Sequence, residues 1–128
     1  MNRAAVGLAK LRGAALCTAF ALALGLTGCG NSPAQRLEKA RALVAKNDRL
    51  AALIQIKSVI QEQPALGEAR LLLGTVLLDG GDPVAAEIEL RRALELGQAE
   101  SQVVPVLARA LLATGQGAKL VAQFGALS

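Results

Sequence analysis

The chain has 128 residues, 53% of them hydrophobic, with 14 Lys and Arg against 10 Asp and Glu, no His, no Trp or Tyr, and two residues each of Cys and Phe. That composition suits one small domain with an aliphatic core. It removes His, the commonest general base and a frequent metal ligand, and leaves thiol chemistry to Cys17 and Cys29 alone.

The chain opens on Met1 to Arg12, which carries Arg3, Lys10 and Arg12 and no acid. Gly13 to Leu26 follows as 14 uncharged residues, mostly Ala and Leu. A cationic start, a short apolar middle and small residues at its end describe a secretory signal peptide. The apolar stretch is shorter than the ~20 residues of a spanning helix. Its ending, Leu26-Thr27-Gly28-Cys29, resembles the lipobox of bacterial lipoproteins. The resemblance implies a cleaved signal over residues 1–28, diacylation of the Cys29 sulfur, and acylation of the new amino terminus. Gly30, rather than Asp, follows Cys29, which in such lipoproteins implies transfer to the outer membrane, facing the periplasm. Removing three of the 14 cations leaves 11 against 10 in the mature chain, so the basic excess belongs to the signal. Scattered cations around near-neutrality give no reason to expect nucleic acid as a partner. Cys17 leaves with the signal, so the mature chain has no cysteine for a bridge or a metal.

Beyond a short polar tether, residues 29–32, good helix formers dominate, with apolar residues at three- and four-residue spacing. This predicts an all-α protein with helices over about Ala34–Lys46, Arg49–Gln63, Glu68–Asp79, Pro83–Leu96, Val104–Thr114 and Ala118–Leu127. Asn47-Asp48, Gly80-Gly81-Asp82 and Gly115-Gln116-Gly117 divide them in pairs. Asp82 is placed to cap the fourth helix and Pro83 to occupy its first position. Pro105 is expected to delay the fifth helix, since an interior proline costs ~3 kcal/mol.

The helices repeat with a period of 34 residues: Ala40 falls on Gly74 and Ala108, Leu43 on Leu77 and Leu111, Asn47 on Gly81 and Gly115, Ile56 on Leu90 and Phe124. Pairs of helices that cannot bury an apolar face alone stack and share a core. Small residues such as Gly74 and Ala86 let the two helices of a pair approach closely.

The segment from Glu68-Ala69-Arg70-Leu71-Leu72-Leu73-Gly74 through Gly80-Gly81-Asp82-Pro83 to Ala93-Leu94-Glu95-Leu96 resembles a tetratricopeptide repeat. The resemblance implies an α-solenoid of about three helix-turn-helix repeats, over residues 33–66, 67–100 and, incompletely, 101–128. There are departures. Arg70 stands where the family has a bulky aromatic, Lys39 in the column of Leu73 and Leu107, and Leu120 in the column of Ala52 and Ala86. The third unit ends without a polar capping helix, which leaves Leu111, Leu112, Leu120, Val121 and Phe124 as an expected sticky end. Together, the lipobox, Cys29-Gly30-Asn31-Ser32-Pro33 and the first helix resemble the amino-terminal part of the much longer tetratricopeptide lipoproteins of the PEP-CTERM/exosortase system, associated with exopolysaccharide production. On that resemblance the chain is expected to be a fragment or a truncated gene product.

No catalytic constellation emerges. Glu87 and Glu89 point in different directions on a helix, and Asp79 and Asp82 lack the regular oxygen spacing of a calcium loop. Gly80-Gly81 is not followed by a phosphate-binding pattern. The expectation is therefore a non-enzyme without cofactor or metal that binds protein or peptide partners. The repeat resemblance implies a concave groove lined by Leu37, Arg41, Val44, Leu71, Thr75, Leu78, Arg109 and Leu112. Such a face suits a peptide whose apolar side chains dock while a carboxylate meets Arg41 or Arg109. Two roles fit: a membrane-anchored scaffold, or an assembly or pilotin-type lipoprotein of a secretion or pilus channel.

Overall fold

The computed structural model describes residues 31–125. The expected signal segment over residues 1–28, the expected lipidation site Cys29, and residues 126–128 lie outside the described residues. The described part is all-helical: α1 (Pro33–Ala45), α2 (Arg49–Glu62), α3 (Gly67–Asp79), α4 (Pro83–Glu95), α5 (Glu100–Ala113) and α6 (Gly117–Phe124).

Local chemistry explains each start. The Ser32 hydroxyl accepts from the Gln35 amide while the Gln35 side chain accepts from the Ser32 amide, a reciprocal cap with Pro33 as the first helical residue. Asp48 and Asp82 cap α2 and α4 through Oδ1, at 3.2 Å from the Ala51 amide and 3.0 Å from the Ala85 amide. The fifth helix departs from the sequence expectation. It begins at Glu100, four residues ahead of Val104, with Pro105 inside it. The reason is that Pro105 sits in the second turn on the exposed side, so only the carbonyl of exposed Ser101 loses its intrahelical donor and water can replace it. Glu100 in the first turn favours the helix dipole.

The turns inside successive pairs are copies of one another. Asn47, Gly81 and Gly115, spaced by 34, all adopt positive φ, at 61°, 86° and 72°. In each turn the next amide reaches back to a leucine carbonyl: Asp48 to Leu43 at 2.9 Å, Asp82 to Leu77 at 3.0 Å, and Gln116 to Leu111 at 2.7 Å. These bonds close the helix ends and reverse the chain in the same way three times.

Every helix packs on its neighbours in sequence, and α1 also meets α3, as α3 meets α5. The backbones of α2, α4 and α6 do not approach one another in this way. The described residues thus form two layers, with α1, α3 and α5 drawn together on the inner side of the bend and α2, α4 and α6 spread on the outer side. Between the layers lies an aliphatic core that includes Ile56, Val59, Leu73, Val76, Leu90, Val103, Leu107 and Leu111, with no buried polar or charged residue among the described residues. Close approach is built in at Gly74: a Cβ there would lie 2.6 Å from Leu90 Cγ.

Lys39, an apparent misfit in its column, is explained by position. The columns that bury Ala69 and Val103, Leu73 and Leu107, and Val76 and Ala110 carry Gln35, Lys39 and Ala42 in α1, and all three are exposed. No helix among the described residues precedes α1, so this face meets water and a lysine is the favoured occupant. At the other end, Leu120 and Phe124 continue the columns of Ala86 and Leu90 but are only half-buried, with Val121 70% exposed beside them.

Candidate functional site

The inner layer presents an open depression of ≈ 440 Å³ where α1, α3 and α5 converge, lined by Arg41, Glu68, Leu71, Leu72, Thr75, Gln98, Gln102 and Val106. Its floor is apolar, from Leu71, Leu72 and Val106, and its rim carries amides and a charge cluster. A second depression of ≈ 340 Å³ adjoins it, sharing Arg41 and Glu68 and bounded by Ala34, Gln35, Leu37 and Glu38.

Arg41 organises the rim. One terminal nitrogen donates to Glu38 one turn back and the other to Glu68 on α3. Partial burial works against the cation, but the hydrogen bonds and charges of Glu68 and then Glu38 outweigh it, so the guanidinium pKa is raised. A raised folded-state value means the pair's contribution is fully present below the ordinary arginine pKa and is lost only as pH rises beyond it. With both faces of the fork engaged, an incoming carboxylate must displace Glu38, whose side chain is 72% exposed and is the easier of the two to release. Arg109 donates to Asp79 Oδ1 at 3.0 Å, so it too is satisfied from within.

The eight residues singled out from the sequence divide into three groups. Arg41, Leu71 and Thr75 come together in the larger depression. Leu37 is 2% exposed and packs with Val59 and Ala69, so it serves the core and reaches only the edge of the smaller depression. Val44 and Leu78 are half-buried against core clusters, while Arg109 and Leu112 are exposed towards the α5–α6 end. The Thr75 hydroxyl donates to the Leu71 carbonyl at 2.9 Å, and its oxygen keeps lone pairs for a ligand.

Glu68, Leu72, Gln98, Gln102 and Val106 line the site without having been singled out. Gln98 follows Gly97, whose φ of 81° turns the chain from α4 towards α5, and Gln102 lies one turn along α5. The amide pair four residues apart, directly after a glycine turn, is the signal that could have found them. Among the described residues no group of three or more His, Cys, Asp or Glu could hold a metal ion, and no helix is long and apolar enough to cross a membrane.

With this geometry in hand, comparison with known proteins adds no assignment: no family model matches the chain, and no curated protein matches it.

Proposed function

We propose that this chain is a lipid-anchored scaffold of tetratricopeptide type that holds a peptide segment of a partner protein in the inner depression. The carrying observation is the threefold recurrence of one turn at 34-residue spacing, with the same backbone hydrogen bond from residues 48, 82 and 116. That regularity supports a repeat stack, and repeat stacks recognise partners along their inner faces.

The depression favours an extended or short helical peptide. Its apolar side chains rest on Leu71, Leu72 and Val106, and its amides meet Gln98 and Gln102. A peptide carboxylate exchanges with Glu38 on Arg41. The chain contributes recognition and address rather than catalysis. The lipobox-like Leu26-Thr27-Gly28-Cys29 supplies the address. Two or three acyl chains, at ~0.8 kcal/mol per buried methylene, hold it permanently at a membrane. Gly30 after Cys29 favours the outer membrane, facing the periplasm. The resemblance of the amino-terminal region to lipoproteins of the PEP-CTERM/exosortase system makes exopolysaccharide production or protein sorting the setting in which to seek the partner.

The test uses the full chain in a bacterial host. Clickable fatty acid should label the wild type and not Cys29→Ala. A photo-crosslinking residue at Gln102 should capture a discrete polypeptide that the same residue at Gln61, on α2, does not. Leu71→Glu should abolish that capture while leaving acylation intact. Absence of acylation sinks the anchor, and equal capture at both positions sinks the groove.

A further inference from the structure

We infer that the outer face of α2 and α4 rests on an anionic lipid surface, the bilayer that holds the Cys29 acyl chains. This builds on the anchored reading and adds which side of the protein meets the membrane. Leu50 and Ile54 on α2 are 73% and 60% exposed, and Val84 and Ile88 on α4 are 61% and 63% exposed. Single exposed aliphatics are ordinary, but these four are ordered. Each pair is four residues apart, on one helix face, and the two pairs are 34 residues apart, so they occupy the same columns of successive units. The core does not need them, because α2 and α4 already bury Ala52, Ile56 and Val59 and Ala86, Leu90 and Ala93 on the opposite side.

The charges around the aliphatic pairs select the occupant. Every carboxylate of these two helices is engaged within the protein: Glu62 with Arg36, Glu87 with Arg91, Glu89 with Arg70 and Glu95 with Arg92. Asp48 and Asp82 cap helix amino termini, whose dipoles answer their charge. Lys57 lies one turn beyond Ile54 on the same face, and Lys46 lies in the turn that leads into α2. Neither ammonium has a partner among the described residues. An exposed aliphatic face with two unpaired cations beside its α2 pair, and only internally paired charges beside its α4 pair, matches the boundary between anionic headgroups and acyl chains.

The tether points the same way. Arg36 holds the Asn31 carbonyl at 2.9 Å through Nε and the Ser58 hydroxyl at 2.9 Å through a terminal nitrogen, and it also pairs with Glu62. The start of the described chain is thereby fastened beside the carboxyl-terminal half of α2. Covalent geometry limits Cys29 to ~7 Å from Asn31. On the anchored reading, the lipid is therefore joined to the chain within covalent reach of Asn31, at the end of the stack formed by α1 and α2. Four aliphatic side chains are too few to hold a free protein, but a lipid attached this close makes their docking intramolecular.

The full chain, purified from a bacterial host in detergent and reconstituted into vesicles of phosphatidylcholine and phosphatidylglycerol, tests this. A bimane label is placed through Ile54→Cys, Ile88→Cys or, as the control on the exposed end of α1, Ala42→Cys, each in a Cys17→Ala background. The protein should float with the vesicles, and doxyl-labelled lipid should quench the label at 54 and 88 several-fold more than at 42. Lys57→Glu, added salt or pure phosphatidylcholine should each reduce that excess. Flotation with equal quenching at all three positions overturns the inference and leaves the anchor standing. Failure to float removes the anchor and the inference with it. Label-to-label transfer that grows with protein density, without lipid quenching, overturns it in favour of a second copy of the chain.

Discussion

The two ends of the helical stack answer the same physical problem in opposite ways. On α1, the columns that elsewhere carry Leu73 and Leu107, or Val76 and Ala110, carry Lys39 and Ala42, and these face water without cost. On α6, Leu120 and Phe124 keep the apolar character of their columns although no further described helix covers them. In a stack, burial is a property of the neighbour rather than of the residue. One side chain type in one column is worth several kcal/mol in the middle and little at an uncovered end.

The sharpest way to break that comparison is a single column read at two heights. Leu90→Ala, in the fully buried middle, should lower stability by about 2–5 kcal/mol, whereas Phe124→Ala in the half-covered column should cost about 1 kcal/mol, in proportion to its smaller buried area. Equal losses by thermal or urea unfolding would refute it. Gly74→Ala probes the close approach directly. Its Cβ would sit 2.6 Å from Leu90 Cγ, and the forced repacking should cost about 1–3 kcal/mol. Rescue by Leu90→Val would identify that contact as the cause. Next, Asp82→Ala removes the α4 cap and should cost about 1 kcal/mol. The smallest effect on stability is expected at the amino-terminal end: Lys39→Leu should change it by less than about 0.5 kcal/mol. It should nevertheless turn a water-facing end into a self-associating one, visible as concentration-dependent sedimentation.

Most of the helical architecture was legible in the residues because its punctuation is local. Asn47-Asp48, Gly81-Asp82 and Gly115 announce the turns, and the predicted limits of α1 to α4 fall within one residue of those observed. The start of α5 was not legible, because proline chemistry disfavours an interior position in general but says nothing about whether water will reach the one freed carbonyl. The inner depression was half legible. Arg41, Leu71 and Thr75 follow from a helical column, while Gln98 and Gln102 enter through the path of the chain after Gly97, which column arithmetic does not track. Nor does a sequence register display partners: Arg41 reads as a free cation until Glu38 and Glu68 are seen closing on it.

The pattern of helix neighbours carries a last consequence. Each helix leans only on those one or two places along the chain, and the eight-residue α6 leans on α5, with the Arg91–Gln123 hydrogen bond reaching back to α4. Among the described residues there is no long-range clasp whose release opens everything at once. Under load or warming the molecule should come apart like a row of dominoes rather than a sphere. Amide exchange should be fastest in α6 and slow progressively towards α3 and α4.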